Sequence, residues 1–172
     1  LVTRLDAEKR VDLLFDALDR CPALRAMHFD IYGTGALGRA LRARGAACDN
    51  VHFHGFHADM PAALAAADLL LHTCPTEPFG LVVLEAMASG LPVLVPDTGG
   101  AGDLVIPGLT GLHYRAGNAE DLAARLLAVD HMLPWSLNAM VHQARLDLVH
   151  RFGRVRRLDD YRRLLLTEVS AP

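Results

Sequence analysis

The sequence predicts an α/β domain built on a doubly wound, Rossmann-like parallel sheet and closed by a helical C-terminal tail. Short apolar runs alternate with longer stretches of helical period, the pattern of strands separated by crossover helices. The 172 residues are 52% hydrophobic, enough for one sizeable core, and they contain no internal repeat. Much of that apolar share is alanine, which favours closely packed helices over large aromatic clusters.

Taken in order, residues 1–5 read as a strand and 7–20 as a helix, with Val11, Leu14, Phe15 and Leu18 spaced i, i+3, i+4, i+7. Residues 28–32 form a second strand, followed by a glycine turn and a helix over 37–44. A third short strand covers 51–53, a helix 60–67, and a buried strand 69–72. A proline-bounded loop leads to a helix over 80–89, closed by Gly90. Strands at 92–95 and 111–114 and a helix at 119–129 complete a core of about residues 1–133. Pro134 breaks the pattern, and residues 134–172 read as C-terminal helices with an interruption near Phe152 and Gly153.

Composition removes several function classes. Seventeen basic against twenty acidic residues give a net charge of −3 and a pI near 6.3, so no whole-domain basic surface for nucleic acid is indicated. Cys21, Cys48 and Cys74 are odd in number and lack metal spacing, and they read as reduced thiols of a cytoplasmic protein. Apolar runs such as 64–71, interrupted by Asp68, are too short to span a bilayer. No signal peptide is visible. The chain begins at Leu1, inside a strand-like segment, and is expected to be one domain of a longer protein.

In open parallel sheets, ligands bind beyond the carboxyl ends of the strands. The relevant loops hold Arg4 to Lys9, Gly33 to Gly38, His54 to His57 and Cys74 to Gly80. The last leads into the most informative segment, Glu77-Pro78-Phe79-Gly80 and then Glu85 eight residues after the first carboxylate. If the helix opens near Gly80, the amides of Gly80, Leu81 and Val82 form an anion site at its positive end. Glu85 then lies roughly 6 Å along the axis, at 1.5 Å per residue. That reach suits a ribose beside phosphates, and a carboxylate accepts from two neighbouring hydroxyls together.

The Glu-x7-Glu pattern, followed by Ala-Met-Ala-Ser-Gly-Leu-Pro-Val, resembles the signature of retaining GT-B glycosyltransferases of family 4, the group 1 type, with their starch, glycogen and sucrose synthase relatives. The resemblance implies that Glu85 holds the ribose of the nucleotide, that Glu77 is the catalytic-site residue facing the donor sugar, and that the backbone from Phe79 and Gly80 through Leu81 and Val82 contacts sugar and diphosphate. Residues Val2 to Lys9 resemble the family's opening strand and loop, whose Arg and Lys grip the diphosphate. This assigns Arg4 and Lys9, the latter the single lysine among 17 basic residues. Asp97 to Gly100, Gly108 to Leu112, and Arg151-Phe152 match as well. The chain departs at Arg10, where the family usually has Gly, and at Asp103, where it often has Glu.

The resemblance further implies a UDP-, ADP- or GDP-sugar as donor substrate, no bound cofactor, and a separate N-terminal acceptor domain that these residues do not include. Such enzymes are described as reacting on the donor's front face, so Glu77 is expected to orient the sugar rather than attack it.

Other readings compete locally. Gly33 to Gly38 is a full GxGxxG between a strand and a helix, a dinucleotide fingerprint when taken alone. It calls for an acid about 20 residues on, at the end of the next strand. That strand ends instead in His54-Gly55-Phe56, and Asp49 lies at its other end. The family resemblance places Gly33 and Gly35 beside the nucleotide site. Residues His54 to Phe56 are read as shaping the base pocket, with Phe56 as a packing or stacking group. His52, His54 and His57 lack a further ligand to complete a metal site, and no metal is expected. The stretch from Arg145 to Arg163 carries seven arginines against three acids. It reads as a solvated helix face, the alternative being docking onto the other domain or onto the acidic inner face of a membrane. For the whole, the readings from other classes are a non-catalytic nucleotide-binding module and an NAD-binding oxidoreductase domain.

Overall fold

A computed structural model of the chain describes residues 1–153 together with 156, 158, 162 and 163. All its strand pairings are parallel. β1 (Phe29–Tyr32) pairs with β2 (Val51–Gly55), while β3 (Leu70–Leu71), β4 (Val93–Pro96) and β5 (Leu112–Tyr114) form a second ladder in that order. The strand expected over residues 1–5 is reduced to a single bridge, Val2 to Tyr32, although the segment runs beside β1. Tyr32 N–H donates to Leu1 O at 2.9 Å, and Thr3 N–H donates to Tyr32 O at 3.0 Å. The expected single sheet is thus two ladders among the described residues. A cavity of about 640 Å³, lined in part by Phe29, Asp30, Leu70 and Leu71, lies between them.

The helix expected over residues 7–20 is also divided. A 3-10 turn, Ala7–Lys9, ends at Arg10, and α1 (Asp12–Arg20) follows. Arg10 causes the break: its φ of 50° and ψ of 38° are left-handed, and it is the one non-glycine residue with positive φ among those described. That conformation costs an L-residue about 1–2 kcal/mol. The bond from Arg10 Nε to the Asp12 carboxylate, 3.2 Å, offsets part of it. The position where the resembled family carries glycine is therefore one where the backbone wants glycine.

α1 buries Leu14, Phe15 and Leu18 as its spacing requires and packs against α6 (Ala119–Asp130). Ile31 and Tyr114 from the sheet join this core. On the opposite side, α4 (Leu81–Ser89) contacts α3 (Met60–Ala65), α5 (Gly99–Leu104) and α7 (Pro134–Phe152), around Val83, Met87, Val93 and Val95. α2 (Gly38–Gly45) follows the glycine turn. Helices on both faces of parallel ladders make the doubly wound α/β fold expected.

α5 was not expected, because its first residues are Gly99 and Gly100. Those glycines let it approach the loop after β3. A Cβ on Gly100 would stand 2.3 Å from Pro78 O, and Gly100 N–H donates to Glu77 O at 2.6 Å. α7 ends where the sequence indicates, but most of the arginine-rich stretch beyond residue 153, with its expected docking face, lies outside the described residues. No helix among the described residues is long and apolar enough to cross a membrane.

The glycine motif has an internal explanation. Gly33 has φ 131°, and a Cβ there would lie 1.8 Å from Thr3 O; one on Gly35 would lie 2.5 Å from Leu5 C. At Gly38 the nearest atom would be Leu5 Cδ1 at 3.5 Å, an ordinary contact. Gly33→Ala and Gly35→Ala should therefore each destabilise the chain by about 1–3 kcal/mol through overpacking. Gly38→Ala should be neutral or stabilising by up to about 1 kcal/mol. Urea unfolding of the three variants checks this, and equal losses at all three would contradict it.

Candidate functional site

Two loops meet at the carboxyl ends of the strands. The first follows the N-terminal extended segment and carries Arg4 and Lys9. The second joins β3 to α4 and carries Glu77. Thr73 Oγ1 donates to Lys9 O at 2.7 Å, and Thr98 Oγ1 donates to Pro75 O at 2.9 Å. With the Gly100 bond to Glu77 O, these contacts tie the first loop to the second and the second to the start of α5. Lys9 Nζ then donates to Glu77 Oε2 at 2.8 Å, with side chains only 13% and 18% exposed.

Burial pushes the Glu77 carboxyl up, but the hydrogen bond and charge of Lys9, helped by His72 and a backbone hydrogen bond from Phe79, outweigh it and hold the group below its usual range. His72 closes the base of the site. It is buried, and its Nε2 lies 3.8 Å from Glu77 Oε2, too far for a hydrogen bond. Burial lowers its pKa to about 4, so the ring is neutral at neutral pH. Tyr114 O–H donates to His72 O at 3.0 Å and fixes the end of β3.

α4 supplies the remaining wall. Gly80, at φ 90°, caps it, and the first bond of the turn runs from Val83 N–H to Gly80 O at 2.9 Å. The amides of Leu81 and Val82 precede that bond and stand at the positive end of a nine-residue helix. A cavity of about 220 Å³ is lined by Val2, Thr3, Arg4, Lys9, His72, Glu77, Gly80, Leu81 and Val82. Two cations, one carboxylate and the amides that open α4 thus line one small cavity. Arg4 stands at the rim, 68% exposed, with its guanidinium on Asp6 and Glu8 at 2.9 Å each.

The structure thus brings Arg4, Lys9, Glu77, Gly80, Leu81 and Val82 together, and it places the other expected residues elsewhere. Glu85 is exposed on α4, outside the cavity. Phe79 is half-exposed and meets Phe152 edge-on, with ring centroids 6.0 Å apart. Gly33 and Gly35 abut the backbone of residues 3–5. Phe56 is 83% exposed on the loop after β2.

Sequence reasoning missed His72. The available signal was a lone histidine ending an otherwise apolar strand, at the end of the sheet where ligands bind. The histidine cluster resolves into separate contacts. His54 Nε2 meets Asp30 Oδ1 at 2.5 Å, His57 tilts against Tyr32, and His52 stacks on His28. His72, Cys74 and Glu77 offer ligand atoms within 4.8 Å of one another, the one such group among the described residues. The Lys9 ammonium already sits on the same carboxylate, and an added cation there would meet its repulsion.

The glycine loop differs from a dinucleotide site in one further respect. Ala36 N–H, an amide that would face a pyrophosphate, donates instead to Asp6 Oδ1 at 2.9 Å. Against known families, residues 1–130 match the model described as glycosyl transferases group 1. The chain belongs to the group 1 glycosyltransferases. It is 35% identical over 144 residues to a GDP-mannose-dependent alpha-mannosyltransferase of Mycobacterium tuberculosis, covering 83% of this chain and 34% of that protein. It is 34% identical over 137 residues to a glycogen synthase of the same species, covering 74% and 32%.

Among solved structures, Anabaena HepE in complex with UDP-glucose superposes with a TM-score of 0.83 at 28% identity, over 96% of this chain and 47% of that one. A glycosyltransferase from Rickettsia africae shares the fold at a TM-score of 0.80 and 20% identity, over 95% and 46%. The fold is that of a GT-B glycosyltransferase domain. The chain spans about a third of the length of these curated relatives.

The buried histidine gives the group 1 domain a pH signature. The folded state disfavours the His72 cation, so its contribution to stability is full above the ordinary value of 6.5 and is lost as pH falls toward about 4. The loss attributable to His72 should approach about 3 kcal/mol. Urea unfolding at pH 7 and pH 4.5 should show His72→Gln narrowing the gap between the two conditions. An unchanged gap would place the acid sensitivity elsewhere.

Proposed function

We propose that this chain is the donor-binding part of a glycosyltransferase that moves a sugar from a nucleoside-diphosphate sugar to an acceptor with retention of anomeric configuration. The observation that carries the reading is the convergence of Arg4, Lys9, Glu77 and the first amides of α4 on one cavity of about 220 Å³. In such a reaction negative charge grows on the departing diphosphate. Fixed cations and helix-terminal amides stabilise it most when they are oriented beforehand, and here they are held by the fold. Lys9 and the Leu81 and Val82 amides meet the diphosphate, Arg4 closes over it from the rim, and Glu77 faces the sugar. Glu85, exposed on α4 just beyond the cavity, accepts the ribose hydroxyls. Family membership supports the transfer, and HepE, which binds UDP-glucose, supports a nucleotide sugar as donor.

These roles require no bound cofactor. The acceptor is held by a separate N-terminal domain, and closure of the two domains excludes water and aligns the acceptor hydroxyl with the anomeric carbon. The Asp6 bond at the glycine loop weighs against NAD, and the retained carboxylates weigh against a module that only binds nucleotide.

Glu85→Gln should weaken UDP or GDP binding by roughly tenfold to over a hundredfold, the worth of a charge-assisted hydrogen-bond pair of about 1.5–3 kcal/mol. Calorimetry decides this, and an unchanged dissociation constant would remove Glu85 from the ribose. The 172 residues alone should bind nucleoside diphosphate yet transfer no sugar, and joining them to their N-terminal partner domain should restore transfer. Efficient transfer by these residues alone would overturn the division of labour.

A further inference from the structure

We infer that Glu77 exchanges partners when the site fills: Lys9 leaves it for the diphosphate, and the Nε2–H of His72 takes its place and holds the carboxylate toward the donor sugar. This rests on the donor reading above and adds His72 to it as a positioning residue.

The starting point is an unsatisfied atom. His72 Nε2 is one of two buried side-chain nitrogens without a hydrogen-bond partner among the described residues. Buried polar atoms without partners are uncommon in folded proteins, because they give up water and receive nothing in return. This one is not remote from function. Its side chain is 3% exposed, it lines the 220 Å³ cavity, and Glu77 Oε2 stands 3.8 Å from the nitrogen. The same oxygen accepts from Lys9 Nζ at 2.8 Å. One carboxylate oxygen thus has two neighbours able to donate, and the ligand-free chain satisfies only the lysine.

The fold determines which of the two can move. His72 closes β3; its N–H donates to Leu94 O at 2.9 Å, and its carbonyl receives the Tyr114 hydroxyl at 3.0 Å. The imidazole is short and packed. Lys9 reaches the carboxylate on a flexible four-carbon stem from the end of a 3-10 turn. A diphosphate in the cavity offers several charged oxygens to that ammonium against the single one it holds now. Once Lys9 turns away, Glu77 is left part-buried, with a neutral N–H donor under 1 Å beyond hydrogen-bond range. A small shift of the carboxylate closes that gap. The carboxylate keeps a side-chain partner, and beside the Phe79 N–H bond its remaining lone pairs can accept from a sugar hydroxyl.

Burial disfavours the His72 cation most; of the charged side chains facing it, Glu77 favours the cation and Lys9 opposes it. The Cys74 thiol lies beside the same cluster, and the Tyr114 hydroxyl is engaged with the backbone carbonyl of His72. Removing Lys9 should therefore imitate the filled site without any ligand.

Nuclear magnetic resonance of the imidazole nitrogens, recorded on the whole chain across pH, tests this. In the wild type the His72 midpoint lies near 4. Lys9→Met, and independently Lys9→Gln, should raise it by more than about one pH unit, the effect of an unshared carboxylate at close range. Adding Glu77→Gln to Lys9→Met should cancel the rise. A midpoint unmoved in both lysine variants, or a rise that survives Glu77→Gln, would overturn the exchange. Calorimetry with UDP and GDP reads the donor arm separately. If neither binds while the titrations behave as described, the His72–Glu77 pairing stands and the diphosphate is removed as its trigger.

Discussion

The ion pair between Lys9 and Glu77 joins parts of the chain 68 residues apart, and the geometry of the site depends on it. It fastens the loop after the N-terminal extended segment to the loop between β3 and α4. Neither side chain is exposed enough to make this an ordinary surface pair. Removing either partner leaves the other charge part-buried without its counter-ion. The pair has a second consequence. It keeps a cation and an anion beside the α4 N-terminus in the wall of one cavity.

The glycines act mainly on the chain itself. Gly33 and Gly35 allow the turn after β1 to press against the backbone of residues 3–5, which carry Arg4 into the cavity wall. Gly99 and Gly100 allow α5 to press against the loop that carries Glu77. Both close approaches bring chain against chain. Internal packing therefore requires the first two glycines of the GxGxxG, though not Gly38, and Asp6 occupies the amide of Ala36 that a dinucleotide would claim.

Elements with strong periodicity were legible in the sequence. α1 from Asp12 onward, α4, α6 and α7 follow from apolar spacing and from Gly90 and Pro134. What escaped was set by tertiary contact. The 3-10 turn and left-handed Arg10 interrupt an apparently continuous helix, and nothing in the period of Val11, Leu14 and Phe15 reveals that. α5 begins with two glycines, which propensity assigns to a turn, and it exists because small residues are needed beneath Pro78 and Phe79. Within the site, the Glu-x7-Glu pattern and the family resemblance marked both carboxylates together with Arg4 and Lys9, on loops at the carboxyl ends of the strands. The pairing of Lys9 with Glu77 and the orphaned nitrogen of His72 required three dimensions, because burial and contacts across 68 residues leave no local mark in sequence.

The central claim is that the cavity between Lys9, Glu77 and the start of α4 receives a nucleoside diphosphate, and a crystal structure of the chain grown with UDP or GDP addresses it most directly. The account predicts the diphosphate within hydrogen-bond distance of Lys9 Nζ and of the Leu81 and Val82 amides, with the ribose hydroxyls on Glu85 and the Glu77 carboxylate facing the position of the sugar. A nucleotide bound instead along the turn from Gly33 to Gly38, with Lys9 still paired to Glu77 and the cavity untouched, would contradict it.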